Sequence, residues 1–251
     1  MNARGDESLE PSREKPGNRR LRAVAMLPAR SGSKRVPEKN LALFRGKPLI
    51  AHTIEQALES GVFDQVFVST DDDKIMKVAS GYPVEVLTRR PELAGDKATL
   101  LNVIRDVITG KGIAPGTCVG LLLVTAPLRT VEDVRAAYDL LVKSDRKQAV
   151  VSVCAHVNPI DLSWKVTDEH LTPYLPETYR RNISKQERER TYHFNDACVF
   201  DLAEHFLREG RNLFGENPLP YIMPYERSIF VDMPFQLKLV QWIGEKLDQQ
   251  K

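Results

Sequence analysis

The chain has 251 residues, 42% hydrophobic and 28% charged, and its 36 Lys and Arg against 34 Asp and Glu leave a net charge of +2. That length supports one large core, and that composition excludes both a membrane-embedded and a wholly disordered chain. No apolar run reaches the roughly 18 residues of a spanning helix and the N-terminus lacks the apolar middle of a secretory signal, so the expectation is a cytoplasmic protein with no membrane partner.

The N-terminal stretch holds the charge imbalance. Residues 1–22 carry six basic groups, among them Arg19, Arg20 and Arg22, against four acidic ones, which accounts for the whole net charge. With Gly5, Pro11, Pro16 and Gly17 and almost nothing apolar before Leu21, residues 1–21 read as a disordered basic leader and 22–251 as the domain. The rest of the chain is then neutral, and no nucleic-acid partner is expected.

From Leu21 short apolar runs alternate with amphipathic stretches. AVAML (23–27) reads as a strand covered on both faces, followed by a polar loop over 29–40. A helix follows Pro48, with Ile50, Ile54, Ala57 and Leu58 on one face and Gly61 as its stop. QVFVST (65–70) predicts a second strand running into a helix start at Asp71, Asp72 and Asp73. Further strands are predicted at VEVLT (84–88), CVGLLLVT (118–125) and QAVVSVC (148–154), with helices near 98–109 and after the Thr130 cap. This alternation predicts an α/β fold, a three-layer arrangement of a mostly parallel sheet with helices on both sides. Residues 155–195 break the texture: they are polar and proline-bearing, with Trp164, Tyr174, Tyr179, Tyr192 and Phe194 interspersed and no clear period, the mark of a lid or an interface arm. DACVFDLAEHFLREG (196–210) returns to strand and helix, 221–232 is expected to end in a strand, and 234–247 is an amphipathic terminal helix with Leu237, Val240, Gln241 and Gly244 along one side.

Cys118, Cys154 and Cys198 are widely spaced and odd in number, which fits buried reduced thiols better than a disulfide framework or a zinc site. The segment with chemistry is LPARSGSKRVPEKN (27–40). In an open parallel sheet ligands sit beyond the carboxyl ends of the strands, where this loop lies. Ser31, Gly32 and Ser33 are small enough for backbone amides to approach a phosphate, and Arg30, Lys34, Arg35 and Lys39 supply positive charge. Neither the Walker A pattern nor G-x-G-x-x-G is present, and on composition alone a solvated basic loop competes equally with a phosphate site.

That loop, followed in order by GKPLIAHTIEQAL, VSTDDDKI, RRPELAGD (89–96) and LLLVTAPLRT (121–130), resembles the acylneuraminate cytidylyltransferases over residues 22 to 247. The resemblance implies a Rossmann-like fold, a homodimer held partly by an extended arm at about 155–195, and a Mg²⁺-dependent reaction of CTP with an acidic nine-carbon sugar that releases pyrophosphate. Related Kdo enzymes usually have Lys-Pro where this chain has Lys39-Asn40, which favours the sialate-like branch. Carried over by position, Arg30 and Lys39 correspond to the triphosphate ligands and carry the catalytic role, and Ser33 and Asn40 shape the nucleotide loop with Ser31. Ala29 and Arg89 or Arg90 fall near the cytosine and ribose. Thr125, Arg129 and Asn195 fall on the sugar side, although Arg129 reads equally well as a structural residue.

The departures cluster on the sugar and metal side. The pattern S-x-D-I-D-T, whose two aspartates bind the metal, appears here as SIFVDM (228–233), with Asp232 kept and Phe230 in place of the first aspartate. One carboxylate still suits Mg²⁺, which keeps waters and takes ligands from substrate phosphates, and Asp71, Asp72 or Asp196 could supplement it. Leu123 and Val124 replace a Gln-Pro pair, and N-G-A-I-Y appears as Asn195-Asp196-Ala197-Cys198-Val199. Two readings follow: a cytidylyltransferase, or a non-catalytic nucleotide- or sugar-binding paralogue with a degraded metal site.

Overall fold

The computed structural model describes residues 21–95, 97–180 and 184–249. The leader expected over 1–21 therefore lies, except for Leu21, outside the described residues. The chain enters at β1 (Ala23–Pro28), and a short hairpin of β2 (Leu43–Phe44) and β3 (Lys47–Pro48) leads into α1 (Leu49–Glu59). Then come β4 (Gln65–Thr70), α2 (Asp73–Ala79), β5 (Glu85–Thr88), the single turn α3 (Pro91–Ala94) and α4 (Leu100–Gly110). β6 (Cys118–Leu122), α5 (Val131–Lys143) and β7 (Val150–Ala155) complete the alternation. The second part contains β8 (Trp164–Thr167), β9 (His170–Pro173), α6 (Pro176–Tyr179) and the long β10 (Tyr192–Leu202). It ends with α7 (Ala203–Leu207), β11 (Leu219–Ile222) and α8 (Pro234–Gln249).

The central sheet has the order β11-β7-β10-β6-β1-β4-β5. β1 pairs in parallel with both β4 and β6, β4 with β5, and β7 with β11, whereas β10 runs antiparallel to β6 and β7. The sheet is thus mostly parallel, as the alternation predicts. Successive side chains of a strand point to opposite faces, so β1 feeds two cores. Ala23, Ala25 and Leu27 pack with Ile50, Ile54, Ala137 and Leu141, while Val24 and Met26 pack with Ile104, Val107, Ile108 and Phe206. Helices α1 and α5 cover the first face and α4 and α7 the second, giving three layers.

The helix starts follow from their caps. Asp72 accepts the amides of Lys74 and Ile75, Thr99 accepts that of Asn102, and Thr130 and Asp133 form a reciprocal capping box. In the middle of the sheet Gly120 is required by space, since a Cβ there would lie 2.6 Å from the Phe63 ring and 2.7 Å from the Phe200 ring.

Two expectations are corrected. Residues 228–232 form no strand; the strand of this region is β11, earlier in the chain, and the polypeptide then passes in irregular backbone to α8. Residues 155–195 are not uniformly irregular: β8 and β9 pair as a hairpin, and Tyr192, His193 and Phe194 already belong to β10, in register with Ala155, Cys154 and Val153 of β7. The hairpin is largely exposed, with Val166 77% and Leu171 67% accessible. Cys118, Cys154 and Cys198 are buried and free, as expected. Among the described residues no helix is long and apolar enough to cross a membrane.

Candidate active site

The 29–40 loop is pinned at both ends. The Ala29 amide donates to the Ser69 carbonyl at 2.9 Å, which extends the β1–β4 pairing by one bond, and the buried Asn40 amide group donates to the Arg30 carbonyl at 2.9 Å. Between these points the Ser31 amide and hydroxyl both donate to Asp71, at 2.9 and 2.7 Å, and the Ser33 amide donates to the Ser31 carbonyl at 2.8 Å. The loop closes one side of a cavity of about 410 Å³ at the carboxyl end of β1, within the size range of small-molecule sites.

One wall is cationic. Arg30, Lys34, Arg35 and Lys39 come from the loop, and Arg89 follows β5. Arg89 is buried, with its guanidinium donating to the Ser69 carbonyl at 2.7 Å and to the Ser69 hydroxyl at 3.3 Å. Burial lowers its pKa from the usual value; Asp71 partly restores it and Arg30 opposes that. A second wall, with Leu93, Leu100, Val103 and Leu123, is apolar and suits the flat face of a base or the carbon frame of a sugar.

The remaining wall is acidic. Asp232 pairs with Arg35 at 2.6 Å and with Lys39 at 3.4 Å. Its backbone amide and that of Met233 donate to the Gln236 side chain at 2.9 and 2.8 Å, so the first turn of α8 fixes the approach of Asp232 to the cavity. Asp196 reaches the same cavity from β10 and accepts the Thr125 hydroxyl at 3.0 Å. Burial pushes the Asp196 carboxyl up; the Thr125 hydrogen bond and the Lys39 charge oppose this, and the nearby Asp232 charge adds to it. Two carboxylates lining the same cavity as these basic groups offer oxygen donors of the kind a divalent cation takes.

The structure therefore gathers Arg30, Ser33, Lys39, Asn40, Arg89, Thr125 and Asp232 around one cavity. Others are placed elsewhere. Ser31 is turned to Asp71, and Ala29 is buried under the loop. Arg90 does not line the cavity and pairs with Asp106 of α4 and Glu92 of α3, so of the two arginines Arg89 is the one that lines it.

Arg129 is 2% exposed and serves the core: its guanidinium donates to the Leu123 carbonyl at 3.2 Å, to the Ala197 carbonyl and to the Gln56 side chain at 2.8 Å. Burial lowers its pKa to about 10. Asn195 is likewise buried, donating to the Ser228 hydroxyl at 2.9 Å and accepting from the Ala197 amide at 3.3 Å, and it does not line the cavity. Of the supplementary carboxylates, Asp71 is held by Ser31 and Asp72 caps α2, which leaves Asp196. Leu93, Leu100 and Val103 were invisible as site residues in the sequence, because apolar positions at helical spacing read as core.

The class of protein is defined by this geometry: an α/β protein with a basic, glycine- and serine-containing loop beyond the first parallel strand, at the edge where open parallel sheets place their ligands. Residues 24–170 match the sequence model of the family described as cytidylyltransferase, and the chain belongs to that family. It is 32% identical over 234 residues to an N-acylneuraminate cytidylyltransferase of Escherichia coli O18:K1:H7, covering 92% of this chain and 54% of that protein. A Campylobacter jejuni pseudaminic acid cytidylyltransferase is 30% identical, covering 85% of this chain and 91% of its own length. A Legionella pneumophila CMP-N,N'-diacetyllegionaminic acid synthase is 31% identical, covering 90% of this chain and 97% of its own. The chain spans about half the length of the N-acylneuraminate cytidylyltransferases it matches. In fold it is similar to a CMP:2-keto-3-deoxy-manno-octonic acid synthetase solved with CTP, at a TM-score of 0.66 and 18% identity, covering 90% of this chain and 99% of that one.

Proposed function

We propose that the protein is a cytidylyltransferase that activates a nonulosonic acid with CTP, giving the CMP-sugar and pyrophosphate. The observation that supports this reading best is the cavity that brings Arg30, Lys39 and Arg89 together with Asp196 and Asp232, within a chain of the cytidylyltransferase family. Arg30 and Lys39 bind the triphosphate and neutralise charge as it builds on the leaving pyrophosphate. The anomeric oxygen of the sugar forms a bond to the α-phosphorus, the bond from that phosphorus to the bridging oxygen breaks, and the hydroxyl proton passes to solvent. The apolar wall of Leu93, Leu100 and Val103 excludes water from one side of the site and orients the organic part of the substrates. Asp232 and the groups around it would hold Mg²⁺, which when bound supplies charge neutralisation at the phosphates.

The relatives are named for three different acidic sugars at nearly equal identity, 32%, 30% and 31%, so overall similarity supports the substrate class and not one member of it. The exposed aromatic and aliphatic side chains of the β8–β9 hairpin region, Trp164, Val166, Leu171 and Tyr174, support its use as the arm of a homodimer. Light scattering at micromolar concentration checks that part: a dimer is expected, and a strict monomer contradicts it. The three buried free thiols suit the cytoplasm. The activity itself is tested by pyrophosphate release from CTP with a panel of 2-keto-3-deoxy nonulosonic acids.

A further inference from the structure

We infer that Asp196 is the second carboxylate of the divalent-cation site, so that the cation is held from two separate segments, β10 and the approach to α8. The inference rests on the cytidylyltransferase reading and goes beyond it in naming the ligand set of this chain. Spacing alone would seek a second ligand at position 230, two residues from Asp232, but that position is Phe230, residues 228–232 are not a strand, and Phe230 does not line the cavity.

Asp196 does line it, and its placement is specific. The strand β10 shifts register between Phe194 and Val199, and within that irregularity Asp196 adopts φ 60°, a left-handed conformation that a non-glycine residue takes at a cost. The turn carries the carboxylate off the strand into the cavity, while Ala197, Cys198, Val199 and Phe200 continue the buried strand beyond it. Thr125 then ties the two carboxylates together: its hydroxyl donates to Asp196 at 3.0 Å, and its carbonyl accepts the amide of Val231, next to Asp232, at 2.7 Å. Asp232 is paired with Arg35 and Lys39, the same basic groups that would meet the triphosphate. Mg²⁺ demands oxygen ligands, typically one or two carboxylates together with substrate phosphates and water, and Asp196 and Asp232 beside the basic wall meet that demand.

The test is Mn²⁺ binding followed by electron paramagnetic resonance in the presence of CTP, with CTP affinity in EDTA measured alongside by calorimetry. Asp196→Asn keeps an acceptor for Thr125 and tolerates the left-handed conformation, so a purely structural aspartate would be replaced without consequence. Asp196→Gly removes the backbone cost and serves as the second variant, with a melting temperature at or above that of wild type. Asp196→Asn, Asp196→Gly and Asp232→Asn are each expected to weaken Mn²⁺ binding about tenfold or more, while CTP affinity in EDTA stays the same or rises. A Mn²⁺ affinity within twofold of wild type in Asp196→Asn, with the loss confined to Asp232→Asn, overturns this inference and leaves the enzyme reading standing. Wild-type protein that binds no CTP overturns both.

Discussion

Replacing Lys39 with alanine tests the phosphate contact proposed for it, and the structure allows its size to be worked out. The Lys39 side chain is 14% exposed and its ammonium stands 3.4 Å from Asp232, so it is positioned at the cavity rather than waving in solvent. A charge-assisted hydrogen bond to a phosphate oxygen contributes about 1.5–3 kcal/mol. Against this, Lys39 must loosen its contact with Asp232 to meet the nucleotide, and a partly exposed pair of this kind contributes about 0–1 kcal/mol. The net loss on Lys39→Ala is about 0.5–3 kcal/mol, which is about 2- to 160-fold in the dissociation constant for CTP. Asp232 keeps Arg35 at 2.6 Å in the variant, so no carboxylate is stranded and the fold should be retained. Calorimetric titration with CTP, paired with a melting curve, measures both quantities. A folded Lys39→Ala protein whose CTP affinity lies within twofold of wild type would refute the reasoning, because the loop would then not be the phosphate site.

Three further outcomes follow from particular contacts. Arg129→Met leaves the carbonyls of Leu123 and Ala197 and the Gln56 side chain without their donor and should destabilise the protein by about 3 kcal/mol in urea unfolding, with CTP affinity of the folded fraction unchanged; a loss of sugar binding without loss of stability would return Arg129 to the site. Gly120→Ala drives a Cβ to 2.6 and 2.7 Å from the rings of Phe63 and Phe200 and should cost about 1–3 kcal/mol, read as a lowered melting temperature.

Burial alone would raise the Asp133 carboxyl, but hydrogen bonds from Arg227, the Thr130 amide and Tyr221 outweigh it and hold it below the usual value. A depressed carboxyl adds stability above its unfolded pKa of about 3.9, and that stability is lost as pH falls through the lower folded value. Arg227→Met should therefore move the acid-unfolding midpoint upward, and an unchanged midpoint would show that this pair does not contribute.

How much of this was legible in the sequence depended on whether burial left a period. β1 with its two buried faces, α1, α4, and the Asp72 and Thr130 caps were readable because each carries its own periodicity or capping side chain. The β8–β9 hairpin was not, because its side chains are exposed on both faces and its turn, at Asp168 and Glu169 with φ of 49° and 65°, lacks the Asn-Gly or Asp-Gly pair that signals a hairpin. The site divided along a similar line. Arg30, Lys39 and Asn40 belong to one contiguous loop, so their convergence is written in local order. Arg129 and Asn195 are polar residues whose partners are backbone and buried side chains distant in sequence, and residue type does not reveal whether a polar group faces a ligand or closes the core. Asp196 was one of three candidate carboxylates in the sequence, and the choice among them came from the register shift of β10 and the turn at Asp196, which no local pattern encodes.

Magnesium-dependent release of pyrophosphate from CTP, followed with a coupled pyrophosphatase assay and a panel of nonulosonic acids, tests the central claim most directly. The account predicts release that requires CTP in preference to ATP or GTP, requires Mg²⁺, occurs with at least one nine-carbon acidic sugar, and falls to background in Asp232→Asn while CTP affinity largely persists. Tight CTP binding with no pyrophosphate released for any sugar or divalent cation would contradict it and identify the protein as a nucleotide-binding member of the family without turnover.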